Sequence, residues 1–206
     1  PEIIIQTGVE VEGYDDKEQL GIVLNIPLAA INALGTLIAV FIIDGFGRRF
    51  VILATLPFIF LSLLLVALAM QQSLFGEDED TRNGGHILFF IAICSYLLFF
   101  SIGLSSTPWI INSEIYPIHL VGTAAALATA TNWLANFIVA SVFLSAMETD
   151  AGKVYTFLIL ALFALIAFLF VIFLVPETAG KRVSENIKNI IGDEIDLKEK
   201  ETEKGE

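Results

Sequence analysis

Long apolar runs separated by short polar joints dominate the chain. Lys, Arg, Asp and Glu are absent from residues 20–43, 50–70, 87–113, 115–147 and 154–176. About 20 apolar residues cross the hydrocarbon of a bilayer as a helix, and each of these windows is long enough. The pattern predicts five membrane-spanning helices at about 20–43, 50–70, 87–112, 121–147 and 154–176, an all-α integral membrane bundle. Backbone inside lipid must satisfy its own hydrogen bonds, and continuous runs of this length do so as helices. Five such windows exclude an ordinary soluble domain.

The joints set the organisation. Residues 1–8 read as the end of another helix, cut off upstream, so the chain is taken as the carboxyl-terminal piece of a longer protein. The bundle then occupies residues 9–176, opening on an acidic loop at 9–18. Asp44-Gly-Phe-Gly-Arg-Arg49 is long enough only for a close turn between antiparallel helices. Residues 71–86, with four acidic residues in succession at 77–80, read as a hydrophilic loop. Beyond Pro176, the residues Val183, Ile187, Ile190 and Ile191 fall at helical spacing, predicting a cytoplasmic amphipathic helix over 177–192. The charged, acidic stretch 193–206 has the composition of a disordered tail. Arg48, Arg49, Lys181, Arg182 and Lys188 outnumber the cations at the opposite ends, which assigns their side to the cytoplasm.

Polar residues within the spans are unevenly shared. The first span carries Asn25 and Asn32, seven apart and therefore on one face. On the third, Ser101, Ser105, Trp109 and Asn112 follow at intervals of four, four and three. The fourth carries Thr129, Asn132 and Asn136, with Trp133 beside them. The second and fifth spans offer a solute nothing and are expected to face outward to lipid. Amides, hydroxyls and indoles are costly in hydrocarbon unless they face one another or a wet cavity. Three stripes thus predict a common interior site. The alternative is that these groups only join helix to helix. That reading is preferred for Asn25 and weighs equally with a solute contact for Asn32.

The chemistry of such a site is neutral. Asparagine donates and accepts, as a hydroxyl does, and tryptophan adds an indole donor and a flat apolar face. A sugar or polyol fits better than an ion or a lipid. The net charge of −12 is dispersed over the joints and the tail, and no basic stripe exists for nucleic acid. The single cysteine, Cys94, has no internal disulfide partner. No span holds a His–acid pair or a metal-ligand cluster, so no catalytic residue, metal or cofactor is expected. Within the third run, Pro108 leaves a backbone carbonyl without its donor, and Glu114 follows as a lone carboxylate before Pro117.

Four motifs occur in order: Asp44-x-x-Gly-Arg-Arg, Pro108-Trp109 leading to Ser113-Glu-Ile-Tyr-Pro117, Asn132-Trp133-x-x-Asn136, and Pro176-Glu-Thr-x-Gly-Lys. The ordered set resembles the carboxyl-terminal half of the sugar porters of the major facilitator superfamily. Together with Ser-x-Phe-Leu-Ser at 141–145, it is most similar to the myo-inositol transporters. The resemblance implies a secondary active transporter moving a neutral polyol by alternating access, multi-pass and in the plasma membrane. It leaves a hexose carrier or a non-transporting solute sensor as alternatives, and it is the only source for protons as a coupled partner. It also implies a missing amino-terminal half as the other wall of the cavity, without which these residues are not expected to transport. Carried across by position, Asn32, Trp109, Asn132 and Trp133 would contact solute. Ser101, Ser105, Asn112, Thr129 and Asn136 are further cavity-lining candidates from the stripes. Asp44, Arg48, Arg49, Glu114 and Glu177 would form the cytoplasmic gate charges. The chain departs from the family's pattern at His119 and Val121, where basic residues are common, and at Ser101, often acidic in sugar carriers.

Overall fold

The computed structural model describes residues 17–181 and Glu185, and among them there is helix and turn but no strand. Helix α1 runs Lys17–Phe46, α2 Arg48–Phe75 and α3 Glu79–Gly103. A short α4 covers Thr107–Glu114, followed by α5, Val121–Ala146, and α6, Asp150–Leu174. Among the described residues, five segments are long and apolar enough to cross a membrane, α3 and α4 together forming the third.

Gly47 alone separates α1 from α2, at φ 94°, a left-handed conformation that side chains other than glycine rarely adopt. The third span is broken. Leu104 and Ser105 both donate backbone N–H to the Phe100 carbonyl, and the chain restarts as α4 on the Ser106 carbonyl. Pro108 stands in the first turn of α4, where a residue without N–H costs nothing. The carbonyl that Pro108 cannot serve therefore falls in the break rather than inside a helix.

The densest core forms around α2. Its buried residues, from Val51 and Ile52 through Leu56, Ile59, Leu63 and Val66 to Met70, recur every three to four positions. Phe89 and Ala92 of α3 and Phe157, Ala161 and Ala164 of α6 join Ile59, Leu63, Val66 and Met70 in one cluster. Toward the Arg48 end, Ile52 and Leu56 meet Ile111 of α4 and Val171 of α6. Phe50, Phe58, Leu61 and Leu68 form an exposed stripe on the other side of α2, so among the described residues the second span buries one face and leaves the opposite one open. The buried hydroxyls of α2 are partnered: Thr55 Oγ1 on the Val51 carbonyl at 2.9 Å, Ser62 Oγ with Ser95 Oγ at 2.9 Å, Ser73 Oγ with His86 Nδ1 at 3.0 Å.

Small residues set the approach of neighbouring helices. At Gly103 an added Cβ would run into the Thr55 side chain, and at Gly35 it would lie 2.7 Å from Ser101 Cβ. Without a hydrophobic force between helices in lipid, such contacts carry much of the association.

The stretch 71–86 is mostly helical rather than looped, because α2 runs on to Phe75 and α3 starts at Glu79. Hydropathy marks where the membrane ends, not where the helix does. Residues 175–181 are extended and turn. The truncated helix at 1–8, the acidic loop before Lys17, residues 182–184 and 186–192 of the expected amphipathic helix and the tail lie outside the described residues, while 177–181, at its expected start, are not helical.

Gly103→Leu is expected to destabilise the bundle by about 1–3 kcal/mol through overpacking against Thr55, read as lost thermal stability of the full-length protein in detergent. Gly84→Ala, with open space around it, should be neutral or slightly stabilising.

Candidate functional site

One end of the bundle is held by charges from four separate parts of the chain. Arg48 Nη2 lies 3.1 Å from Asp44 Oδ1 and 3.0 Å from Glu114 Oε1. Asp44 is 81% exposed, whereas Glu114 is 25% exposed, so the link to α4 is the better shielded of the two. Thr178, itself buried, donates its hydroxyl to the other Glu114 oxygen at 2.5 Å. Arg49 Nη2 donates to the Ile172 carbonyl in the last turn of α6 at 2.6 Å. A cation there complements the negative end of the helix dipole.

Glu177, named among the gate charges, meets backbone amides at the start of α2. Its carboxylate accepts from the backbone N–H groups of Arg48 at 3.0 Å, Arg49 at 3.1 Å and Phe50 at 3.4 Å. The Ala179 N–H adds a further contact at 3.0 Å. A residue beyond the last span thus satisfies the amide groups that begin α2. Gly47 is required on a second count, because a Cβ there would stand 2.7 Å from a Glu177 oxygen. Burial pushes the Glu177 carboxyl up, but donors from Ala179, Arg48, Phe50 and Arg49 outweigh it and hold it below its ordinary value.

The polar stripes lie on faces that the described residues leave open. Asn32 is exposed on α1, and its Oδ1 lies 2.8 Å from Ser101 Oγ, so the structure brings these two together. Ser101 is fully buried, not open to a cavity. Trp109 is 44% and Trp133 69% exposed. Thr129, Asn132, Trp133 and Asn136 all lie along α5, which buries no residue among those described. Thr129 Oγ1 and Asn136 Nδ2 turn back to carbonyls of their own helix, at 2.7 and 2.9 Å. Ser105 and Asn112 are half-buried, beside the break and on α4.

The described residues alone do not close these groups around a polar hollow. A cleft of about 360 Å³ between α5 and α6 is lined by residues such as Ile138, Val142, Tyr155 and Phe163, and by none of the stripe residues. Two features were not anticipated from sequence: Thr178 as the second partner of Glu114, and Ser101 as the partner of Asn32. The Pro-Glu-Thr motif signalled the first. For the second, the only hint was that Ser101 shared a stripe.

An all-helical bundle with a charged joint at one end and neutral polar faces along its length is the architecture of a membrane carrier. The chain belongs to the sugar (and other) transporter family, which matches residues 4–188. It is a multi-pass membrane protein with the fold of the major facilitator superfamily, a fold of transporters rather than enzymes.

Membrane transporter D1 of Leishmania donovani is 37% identical over 186 residues, which cover 90% of this chain and 33% of that protein. Myo-inositol transporter 1 of Cryptococcus neoformans is 31% identical over 181 residues, covering 84% of this chain and 30% of that one. The crystal structure of a D-xylose–proton symporter superposes with a TM-score of 0.70 at 23% identity, over 88% of this chain and 39% of that chain. The chain spans about a third of the length of the curated relatives it matches.

Glu177→Gln should destabilise the full-length protein by about 1 kcal/mol at neutral pH, as expected for a charge at a helix amino terminus. A carboxyl held low when folded stabilises fully above its unfolded pKa of about 4.3. That contribution fades as pH falls through the lower folded value. Thermal melts should therefore show a constant gap between wild type and variant from pH 7 to about 5, closing only in stronger acid.

Proposed function

We propose that this chain is the carboxyl-terminal half of a secondary active transporter that carries a neutral polyol across the plasma membrane by alternating access. Myo-inositol is the favoured solute and protons are the coupled ion. The observation that carries this reading is α5: a membrane-length helix that buries nothing among the described residues and presents Thr129, Asn132, Trp133 and Asn136 on its open surface. Such groups are stable in a membrane only against another wall of protein or a wet cavity. A chain matching about a third of its relatives' length leaves room for that wall elsewhere in the protein. Binding between two halves near the midplane is how carriers of this kind work.

The charged joint fits the same cycle. Pairs such as Arg48–Asp44, exposed at one partner, contribute only about 0–1 kcal/mol and are readily exchanged for contacts to an opposing half. Assignment of myo-inositol rests on the motif around Trp109 and on likeness to the fungal inositol carrier.

The test is uptake of labelled myo-inositol by cells expressing the full-length parent. Saturable uptake that excess glucose leaves unchanged is expected, and competition by glucose would reassign the protein to hexoses. Asn132→Ala should raise the apparent KM about fivefold, the size of one neutral hydrogen bond, at unchanged surface abundance. Loss from the membrane instead would assign Asn132 to packing. An uncoupler should abolish accumulation, and accumulation that survives it would exclude proton coupling.

A further inference from the structure

Hydrogen-bond accounting at Ser101 leads beyond the solute assignment, on which it rests. Ser101 is 0% exposed and pressed against Gly35 of α1. Its Oγ lies 2.7 Å from the Leu97 carbonyl, one turn back on its own helix, and 2.8 Å from the Asn32 side-chain oxygen. A serine hydroxyl has a single proton and cannot donate to both. If it donates to Asn32, two bare oxygens are left 2.7 Å apart at Leu97. If it donates to Leu97, the same conflict appears at Asn32.

An amide is nearly symmetric in shape, and turning it exchanges oxygen for nitrogen. With Nδ2 toward Ser101, Asn32 donates to Oγ and Oγ donates to Leu97, so both contacts become hydrogen bonds. We infer that Ser101 is a positioning residue that locks the Asn32 amide with its nitrogen inward and its Oδ1 toward the solute. The exposed side of Asn32 is then an acceptor in fixed orientation. It selects a solute hydroxyl that donates, and it discriminates against a group of similar size that only accepts. A freely turning asparagine would serve either kind of group and discriminate little. Rejection of a partner lacking the matching donor is how a built polar site gains specificity.

The experiment uses the full-length transporter in proteoliposomes, with myo-inositol and its set of monodeoxy-monofluoro analogues as probes. Wild type should bind one analogue about fivefold more weakly than inositol. Ser101→Ala should raise KM for inositol severalfold with kcat unchanged, and should abolish discrimination against that analogue. In an Asn32→Ala background, Ser101→Ala should change neither KM nor the analogue profile further. If Ser101→Ala does not reach the membrane, Ser101→Cys carries the same test, because a thiol fills the space but accepts weakly. Wild-type KM and discrimination in the Ser101 variants, with both altered in Asn32→Ala, would overturn the inference and leave the solute site standing. Additive effects in the double variant would also overturn it. If Asn32→Ala leaves KM and the analogue profile untouched, the assignment of Asn32 to the solute falls, and the inference with it.

Discussion

The carboxylate of Glu177 allows α2 to begin where it does. The first amide groups of any helix have no partner within it, and near a membrane they must find one in the protein. Here they find it in a residue that follows the last span, more than 120 positions along the chain. That contact closes the bundle on itself. With Arg49 on the Ile172 carbonyl and Arg48 on Glu114, it binds the first hairpin, the broken span and the end of α6 at a single joint. Gly47 must supply both a left-handed turn and an empty space for this to happen.

With its amino terminus fixed in this way, α2 lays one face against α3 and α6, and the densest core forms there. Its buried serines and threonine follow the same rule as its backbone, each bonded to a carbonyl, a second hydroxyl or an imidazole. The same packing leaves polar groups of α1 and α5, Asn32, Thr129, Asn132 and Asn136, exposed among the described residues.

The break between α3 and α4 connects the two regions. Pro108 forces the chain to restart, and the short helix that follows carries Trp109 and Asn112 toward the open faces and Glu114 into the charged joint. Eight residues of helix span about 12 Å, so the candidate solute contact and the gate charge ride on one rigid piece. Glu114 is anchored to Arg48 and Thr178 at its far end.

The charge-free windows by themselves marked the five segments that, among the described residues, are long and apolar enough to cross a membrane, because the cost of a charge in hydrocarbon is a property of each residue alone. The ordered motifs, from Asp44 to Glu177, likewise identified the family, since their order and spacing are read along the chain without knowing which helices meet. What lay in the tertiary structure was every statement about partners. Sequence could not tell which face of the greasy α2 packs against α3 and α6 and which stays open, because a core and a lipid phase ask for the same side chains. It could not tell that the hydrophilic stretch from Gln71 to His86 stays mostly helical, because a helix in water needs no apolar face. Nor could it show that Glu177 serves a distant helix terminus, or that Ser101 holds Asn32. Those contacts join residues 69 to 129 positions apart, and only the packing of whole helices decides which distant groups meet.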